Sequence, residues 1–401
     1  MSKEPCCPSS AAEKNSCCPP TEKSSCTPPP AAQEDCCTPS DQGASCCTPK
    51  AALQERPGYI LCDYVCGVTS TPAGEVPLVS STLNRRDHLG HCAMRWGIGR
   101  DRYRVTPGLY GLGAPTPESP VVVTANYKMT FDLVRRDLKG LDAWLLVLDT
   151  KGINVWCAAG KGTFGSDELL SRIASSSLDK IVSHRKLLLP QYGAVGVAAH
   201  TVRKQSSFTV TYGPVRIADL PGFIAADNQA TEGMRSTTFS FYERLVLTPV
   251  EFTTLWKEIA WALPVLLILG GIGPHIFSLT AAWQRGITAW FVGLLGVLCG
   301  AVLTPLLLPW LPGRSFAFKG ALVGGAVGLV AALLKVESIG LLNSLSSILS
   351  VAALASFCAM NFTGSTPFTS PSGVEKEMRI AIPLQLAALL TAGVLWVWGA
   401  F

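Results

Sequence analysis

Hydrophobic and polar positions divide the chain into three stretches of different character. Residues 1–56 hold almost no Leu, Ile, Val or aromatic residue and are rich in Pro, Ser, Thr and Lys. Such a stretch cannot bury enough apolar surface to offset the entropy of ordering it, and it reads as a disordered tail. Residues 57–250 open on the turn signal Pro57-Gly58 and alternate short apolar runs with amphipathic ones. Val121-Val122-Val123-Thr124, Leu145-Leu146-Val147-Leu148, Ile153-Asn154-Val155-Trp156, Lys186 to Leu189 and Phe208 to Tyr212 read as strands. Phe131, Leu133, Val134 and Leu138 space like one helix face and Leu169, Leu170, Ile173 and Leu178 like another, while Gly193 to Arg203 is a weaker third. Apolar strands alternating with helices predict an α/β domain with a mostly parallel sheet, and ligands of such sheets bind at the carboxyl ends of the strands.

Residues 251–401 carry five apolar stretches that approach the ~20 residues needed to span a bilayer core. They run over Ile259–Leu279, Ile287–Leu308, Phe316–Leu334, Ile339–Phe362 and Ile380–Phe401, with Lys319 placed to snorkel near the start of the third. Trp256, Trp261, Trp290, Trp310, Trp396 and Trp398 lie near the ends, as an aromatic belt would. The expectation is an all-α, five-helix transmembrane domain in contact with membrane lipid. With the α/β part inside, the inside loops hold Arg314, Lys319, Lys376 and Arg379, and the outside loops hold Arg285 and Lys335. Arg244 and Lys257 add to the inside count. The positive-inside rule then favours a cytoplasmic α/β domain on a multi-pass protein of the cell's inner membrane.

Composition narrows the function classes. A formal charge of +5 with no dense Lys/Arg stripe gives no reason to expect a nucleic-acid partner. Nine of the 15 cysteines fall before residue 50, in an imperfect Cys-Cys-Pro or Cys-Cys-Thr-Pro repeat. Met1 begins a polar stretch, so no cleavable signal peptide is expected and the cysteines read as thiols rather than disulfides.

The segment richest in chemistry runs from Asp149-Thr150-Lys151-Gly152 through Ile153-Asn154-Val155-Trp156-Cys157-Ala158-Ala159-Gly160-Lys161-Gly162 to Thr163-Phe164. Gly160-Lys161 invites a phosphate-loop reading, which fails: no glycine sits five positions earlier, and Lys161 is followed by Gly162 rather than Ser or Thr. What remains is a cysteine between a strand end and a helix start. Its neighbours Ala158, Ala159, Gly160 and Gly162 would let something large and flat approach the backbone. A helix start favours the thiolate, the form that ligates metals, although a lone cysteine is also commonly a small buried hydrophobe.

The run Asn154 to Phe164 resembles the cap-helix motif of the HgcA family, the corrinoid proteins of the bacterial and archaeal mercury-methylation pair. Arg95-Trp96-Gly97-Ile98-Gly99-Arg100, Tyr103-Arg104-Val105, Pro107-Gly108-Leu109-Tyr110, Val123-Thr124-Ala125-Asn126-Tyr127-Lys128, Gly196 to His200, Tyr212 to Arg216 and Arg244 to Pro249 also resemble that family. The resemblance covers roughly residues 57–401, and the soluble part more distantly resembles the corrinoid-binding domain of the corrinoid iron–sulfur protein of acetyl-CoA synthesis. It implies a Rossmann-like corrinoid-binding domain and a corrinoid (cobalamin or methylcobalamin) cofactor with Cys157 as the lower cobalt ligand. The soft thiolate trans to the methyl group pushes electron density onto it, which suits transfer to the electrophile Hg(II). Asn154, Val155, Trp156, Ala158, Ala159, Gly160 and Lys161 would shape the cap, with Thr124, Asn126 and Tyr127 contacting the corrin. The implied partners are a ferredoxin-like iron–sulfur electron donor and a folate-linked methyltransferase that supplies the methyl group.

The cysteine-rich tail departs from that pattern. Cys6, Cys7, Cys17, Cys18, Cys36, Cys37, Cys46 and Cys47 form vicinal pairs suited to capturing Hg(II), or they are incidental thiols of a variable tail. Cys62, Cys66, His88, His91 and Cys92 offer potential metal ligands without a zinc-knuckle spacing, and Cys299 and Cys358 read as packing residues. Two other functions stay open. One is a membrane-anchored corrinoid methyl carrier of one-carbon metabolism, against which the electron-donating thiolate argues. The other is a soft-metal transporter, against which the lack of Asp, Glu or Arg in the five apolar stretches argues.

Overall fold

The computed structural model describes residues 62–362 and 371–401, apart from the side chains of residues 336–339 and 371–372. The tail expected over residues 1–56, its paired cysteines and the Pro57-Gly58 turn lie outside the described residues.

A seven-stranded sheet forms from β1 (Val65–Thr71), β2 (Gly74–Val79), β3 (Gly108–Leu112), β4 (Val121–Ala125), β5 (Ala143–Leu148), β6 (Lys186–Leu189) and β7 (Thr209–Tyr212). Their spatial order is β1-β2-β3-β5-β4-β6-β7. β5, β4, β6 and β7 run parallel and β2 runs parallel to β3, whereas β3 is antiparallel to β5 and β1 is antiparallel to β2, so the sheet is mixed and mostly parallel in its pairings. The antiparallel pairing of β3 with β5 was hidden in the sequence because β3 reads Gly-Leu-Tyr-Gly-Leu, a glycine-rich run with weak strand propensity.

Helices cover both faces of the sheet. They are α1 (Arg85–Arg95), α2 (Lys128–Asp137), α3 (Val155–Gly160), α4 (Ser166–Ser175), α5 (Leu178–Ile181), α6 (Ala199–Ser206), α7 (Leu220–Ala225) and α8 (Glu232–Arg235). Val121, Val123, Ala125, Leu146 and Leu148 face one core with Val155, Ala158, Leu169 and Val202. Val122, Leu145 and Val147 face the other with Phe131, Val134 and Phe223. Strands buried on both faces explain the continuous apolar runs at β4 and β5.

Ile153 to Trp156 is not a strand. Lys151 (φ 57°) and Gly152 (φ 75°) turn the chain through left-handed conformations, and Asn154 then caps α3 by accepting the Cys157 N–H at 2.9 Å. The apolar alternation of Ile153 and Val155 comes from a loop residue and a helix residue that both lean on the same core.

Beyond residue 240 the described residues are mainly helical: α9 (Phe241–Leu245), α10 (Thr248–Thr254), α11 (Trp256–Gly270), α12 (Leu279–Leu298), α13 (Thr304–Leu307), α14 (Phe316–Leu333), α15 (Val336–Asn361, broken at Gly340) and α16 (Pro371–Trp398). A π turn, Cys299–Leu303, joins α12 to α13. Four helical stretches are long and apolar enough to cross a membrane: Leu279–Leu307, Phe316–Leu333, Gly340–Asn361 and Gly373–Trp398. A fifth arises if Phe241–Thr254 and Trp256–Gly270, bent by 48°, count as one span. The stretch expected at Ile259–Leu279 stops early, because the chain reverses through the short strands β8 (Ile272–Gly273) and β9 (Ile276–Phe277). A Cβ on Gly270 would come within 2.7 Å of the Gly286 backbone, so two glycines let α11 and α12 cross closely. Gly320, Gly324 and Gly328 likewise admit the backbone of α15, the small-residue spacing that packs helices without a hydrophobic drive. Arg285, expected in a loop, lies within α12 and donates to the carbonyls of Ile272 (3.1 Å) and Trp396 (2.5 Å).

Candidate functional site

The carboxyl ends of β4 and β5 lie side by side, and Asn126, just past β4 and 1% exposed, locks them to the loop that follows β5. Its Oδ1 accepts from Thr150 N (3.1 Å), Thr150 Oγ1 (2.8 Å) and Gly152 N (2.9 Å), and its Nδ2 donates to Asp149 Oδ1 (3.0 Å). Asp149 Oδ1 also accepts from Lys151 N (2.9 Å), and Glu168 at the start of α4 accepts from Asp149 N (2.8 Å). These bonds satisfy the buried side chains of Asn126 and Thr150 and the Gly152 N–H, and they hold the start of α3 in place.

From that loop α3 presents two faces. Val155, Ala158 and Ala159 are buried in the core, while Trp156, Gly160 and Lys161 are exposed and Cys157 is half-buried as a free thiol. Behind the helix the chain at residues 193–196 approaches very closely: a Cβ on Gly196 would sit 3.1 Å from the Ala159 Cα, and one on Gly193 would strike the Phe164 ring at 2.6 Å. On the outer face a Cβ on Gly160 or Gly162 would meet nothing within 4 Å. The Trp156 indole stacks on Tyr192 with centroids 5.2 Å apart, and Tyr192 in turn shares a hydrogen bond with Thr237 (2.9 Å). The α3 surface around Cys157 is therefore smooth, supported from behind and open in front.

The expected site residues separate into groups. Asn154 to Lys161 stand together on or beside α3, and Asn126 supports them from below. Thr124 does not join them. It shares the sheet face of Val122, opposite the face that α3 covers, and its buried Oγ1 has no hydrogen-bond partner. Tyr127 caps the start of α2, buried, and burial pushes its hydroxyl above the usual phenol range against the opposing pull of Arg100 and Arg95. Asp149 and Thr150 carry no chemistry on their own and were given no part by sequence, although both sit inside the motif. Tyr192 had no signal at all, because its ring contact spans a separate segment of chain.

Among the described residues, no group of three His, Cys, Asp or Glu side chains stands together as metal ligands. His91 instead faces Asp132 (2.9 Å) at the edge of a buried ion network. Arg135, fully buried, bonds Asp87 (2.7 Å), Asp132 (2.9 Å) and the carbonyls of Ser80 and Thr82, and Lys128 bridges Asp87 (2.6 Å) and Asp132. The network clamps α1 to α2 and to the end of β2. Burial alone would raise the Asp87 carboxyl, but Lys128, the Asn84 N–H and Arg135 bring it down to about 2. Burial, with Asp132 and Asp87 nearby, pushes the Tyr103 hydroxyl up.

Comparison with known proteins falls on this part of the chain. A family model described as CO dehydrogenase/acetyl-CoA synthase delta subunit matches residues 91–222, from the end of α1 to α7. The acetyl-CoA decarbonylase/synthase complex subunit gamma of Methanopyrus kandleri is 33% identical over 127 residues, 31% of this chain and 27% of that protein. The subunit of the same name from Archaeoglobus fulgidus is 30% identical over 130 residues, again 31% and 27%. That of Methanocaldococcus jannaschii is 36% identical over 92 residues, 22% and 19%. The chain thus spans about a quarter of the length of the relatives it matches, and the apolar helices lie outside the residues of the family match.

Proposed function

We propose that this chain is a membrane-embedded corrinoid protein that transfers a methyl group to Hg(II), with the Cys157 thiolate as the lower ligand to cobalt. One observation carries the reading. A free thiol sits on a short helix pinned at the carboxyl edge of parallel strands, in the part of the chain similar to acetyl-CoA decarbonylase/synthase gamma subunits.

The residues fit a flat macrocycle. Cys157 and Gly160 fall on the same side of α3, and neither Gly160 nor Gly162 has a side chain to hold a broad ligand away from the thiol. The donor set is one soft sulfur, as a cobalt–thiolate bond needs. When bound, a corrinoid supplies a methyl group on cobalt, made electron-rich by the thiolate and so matched to an electrophilic substrate such as Hg(II). The chain's own residues do the positioning. Asn154 fixes the first turn of α3, Asn126 with Asp149 and Thr150 fixes the loop before it, and the Trp156–Tyr192 stack holds its outer edge. Lys161 stands exposed at the end of the helix, facing whatever approaches.

The same reading takes residues 57–250 as the corrinoid-binding domain and 251–401 as a transmembrane domain in the inner membrane, with the α/β part in the cytoplasm. A ferredoxin-like protein supplies electrons and a folate-linked methyltransferase supplies the methyl group. The vicinal cysteines of the tail capture Hg(II); deleting residues 1–50 then weakens Hg(II) binding by the whole chain.

The names of the relatives favour a second reading, a methyl carrier that serves a nucleophilic acceptor in acetyl-CoA chemistry. Absorption spectra of the anaerobically purified full chain, reconstituted with cobalamin beside its Cys157→Ala variant, test the ligand. Co(III) bands that differ between the two support thiolate ligation, whereas identical spectra remove Cys157 from cobalt. Single-turnover transfer from the methylcobalamin-loaded chain to Hg(II) or to a thiol acceptor separates the readings. Transfer to the thiol alone favours the carrier.

A further inference from the structure

α14 and α16 both pack on α15, and the three helices leave a cavity of about 1000 Å³ between them. At the end nearest the starts of α14 and α16 it is lined by Arg314 and Lys376, both exposed. Neither makes an ion pair among the described residues, whereas the neighbouring Arg379 is paired with Glu375. Glu377, whose carboxylate accepts from the Ser315 hydroxyl (3.0 Å) and the Ala317 N–H (2.5 Å) and so caps α14, offsets one of the two charges and leaves this end net positive. Farther along, the walls are apolar, with Phe318 and Leu384 on opposite sides, 53% and 66% exposed.

Gln385 also lines the cavity, 7% exposed. Its Nε2 donates to Ser356 Oγ at 2.8 Å, and its Oε1 has no partner. Turning the amide over exchanges the two ends and still leaves one without a partner, because Ser356 satisfies a single end. A buried amide end left unpaired is costly, and it marks where a polar atom of a ligand belongs. Gln385 follows Lys376 by nine residues on α16, a rise of about 13 Å. The Lys376 side chain together with a lipid headgroup and its linkage covers such a span.

We infer that this groove binds one anionic amphiphile, with its head between Arg314 and Lys376, its chain along the apolar walls and an oxygen of its linker at Gln385. The inference rests on the membrane reading of these helices and is independent of the corrinoid. The head is the phosphate of a bilayer phospholipid, because only a ligand with an ester linkage below its charged head brings an oxygen to Gln385; a free fatty acid has none there.

Native mass spectrometry of the full chain in detergent tests it, with dioleoylphosphatidylglycerol, dioleoylphosphatidylcholine, oleate and inorganic phosphate as probes. One phosphatidylglycerol held per chain in preference to phosphatidylcholine is the expected result. Arg314→Gln with Lys376→Gln then weakens it about 30-fold, taking two interfacial cations at their usual strength. Gln385→Leu, which removes no charge, reduces the thermal stabilisation that the lipid confers. Oleate held in place of phosphatidylglycerol overturns the inference, because a fatty acid has no linker oxygen to meet Gln385. Equal retention of both phospholipids by wild type and double variant overturns the inference. Protection by inorganic phosphate alone also overturns it, as does cross-linking between two copies through cysteines placed at Ala321 and Ala388. Alkaline carbonate extraction keeps the two readings apart. A chain released by carbonate removes the membrane reading, and a carbonate-resistant chain without lipid preference removes only this site.

Discussion

The indole of Trp156 lies nearly parallel to the ring of Tyr192, at 8° between planes and 5.2 Å between centroids. That contact joins the exposed edge of α3 to the segment that follows β6, and Tyr192 is anchored beyond it to Thr237. A stacked aromatic pair contributes about 0.5–1.5 kcal/mol beyond its buried area. Tyr192→Leu should therefore weaken cobalamin binding by about 2–10-fold while leaving the Co(III) bands in place. A spectrophotometric titration checks it; unchanged affinity would mean that the stack has no part in holding α3.

Asn126 makes a sharper case. As Asn126→Ala it leaves the Gly152 N–H unpaired in the core, at a cost of about 1–3 kcal/mol, while the Thr150 N–H keeps the Leu148 carbonyl at 3.1 Å. Asn126→Asp keeps the acceptor but sets a carboxylate against Asp149 Oδ1, where the amide now donates. That variant should be less stable than wild type at pH 7 and recover part of the loss as pH falls toward 4 and the carboxylate is protonated. Thermal unfolding at the two pH values reads the difference, and a deficit that does not shrink in acid would show that the charge is not its cause.

Asp87 governs the acid limb. Its folded value of about 2 lies below its ordinary 3.8, so the stability it contributes is complete above about pH 4 and is lost as pH falls through 2. Wild type should lose melting temperature across that window more steeply than Asp87→Asn, which has no proton to take up there. Asp87→Asn should also start lower at pH 7, because Arg135 and Lys128 lose a buried counter-charge. Parallel curves for the two proteins would remove Asp87 from acid unfolding.

Thr124→Val exchanges a buried hydroxyl without a partner for a methyl group of similar volume. The variant should be as stable as wild type or up to about 1 kcal/mol more stable. Because Thr124 faces away from α3, cobalamin affinity should not change. A loss of affinity in the titration would place Thr124 in the site after all.

The sequence by itself determined the division into an α/β part and an apolar helical part, and it singled out Cys157 with its small neighbours. Both are local signals. A buried parallel strand such as Leu145 to Leu148 and a membrane-length helix are written in consecutive residues, and so is a thiol flanked by Ala158 and Gly160. Three things were decided only in three dimensions. The reversal of strand direction within the sheet depends on β3 finding β5, and the glycine-rich sequence of β3 gives no local preference to read. The support of α3 depends on Asn126 and Tyr192, whose partners lie well away along the chain and which are ordinary residues until the fold brings them there. The face of Thr124 follows from strand alternation counted against the cores, and a run of four β-branched residues hides that count because both faces are apolar. Short-range pattern records what a residue prefers. Which buried donor meets which acceptor is settled by packing, because only the assembled core removes water and makes an unpaired group costly.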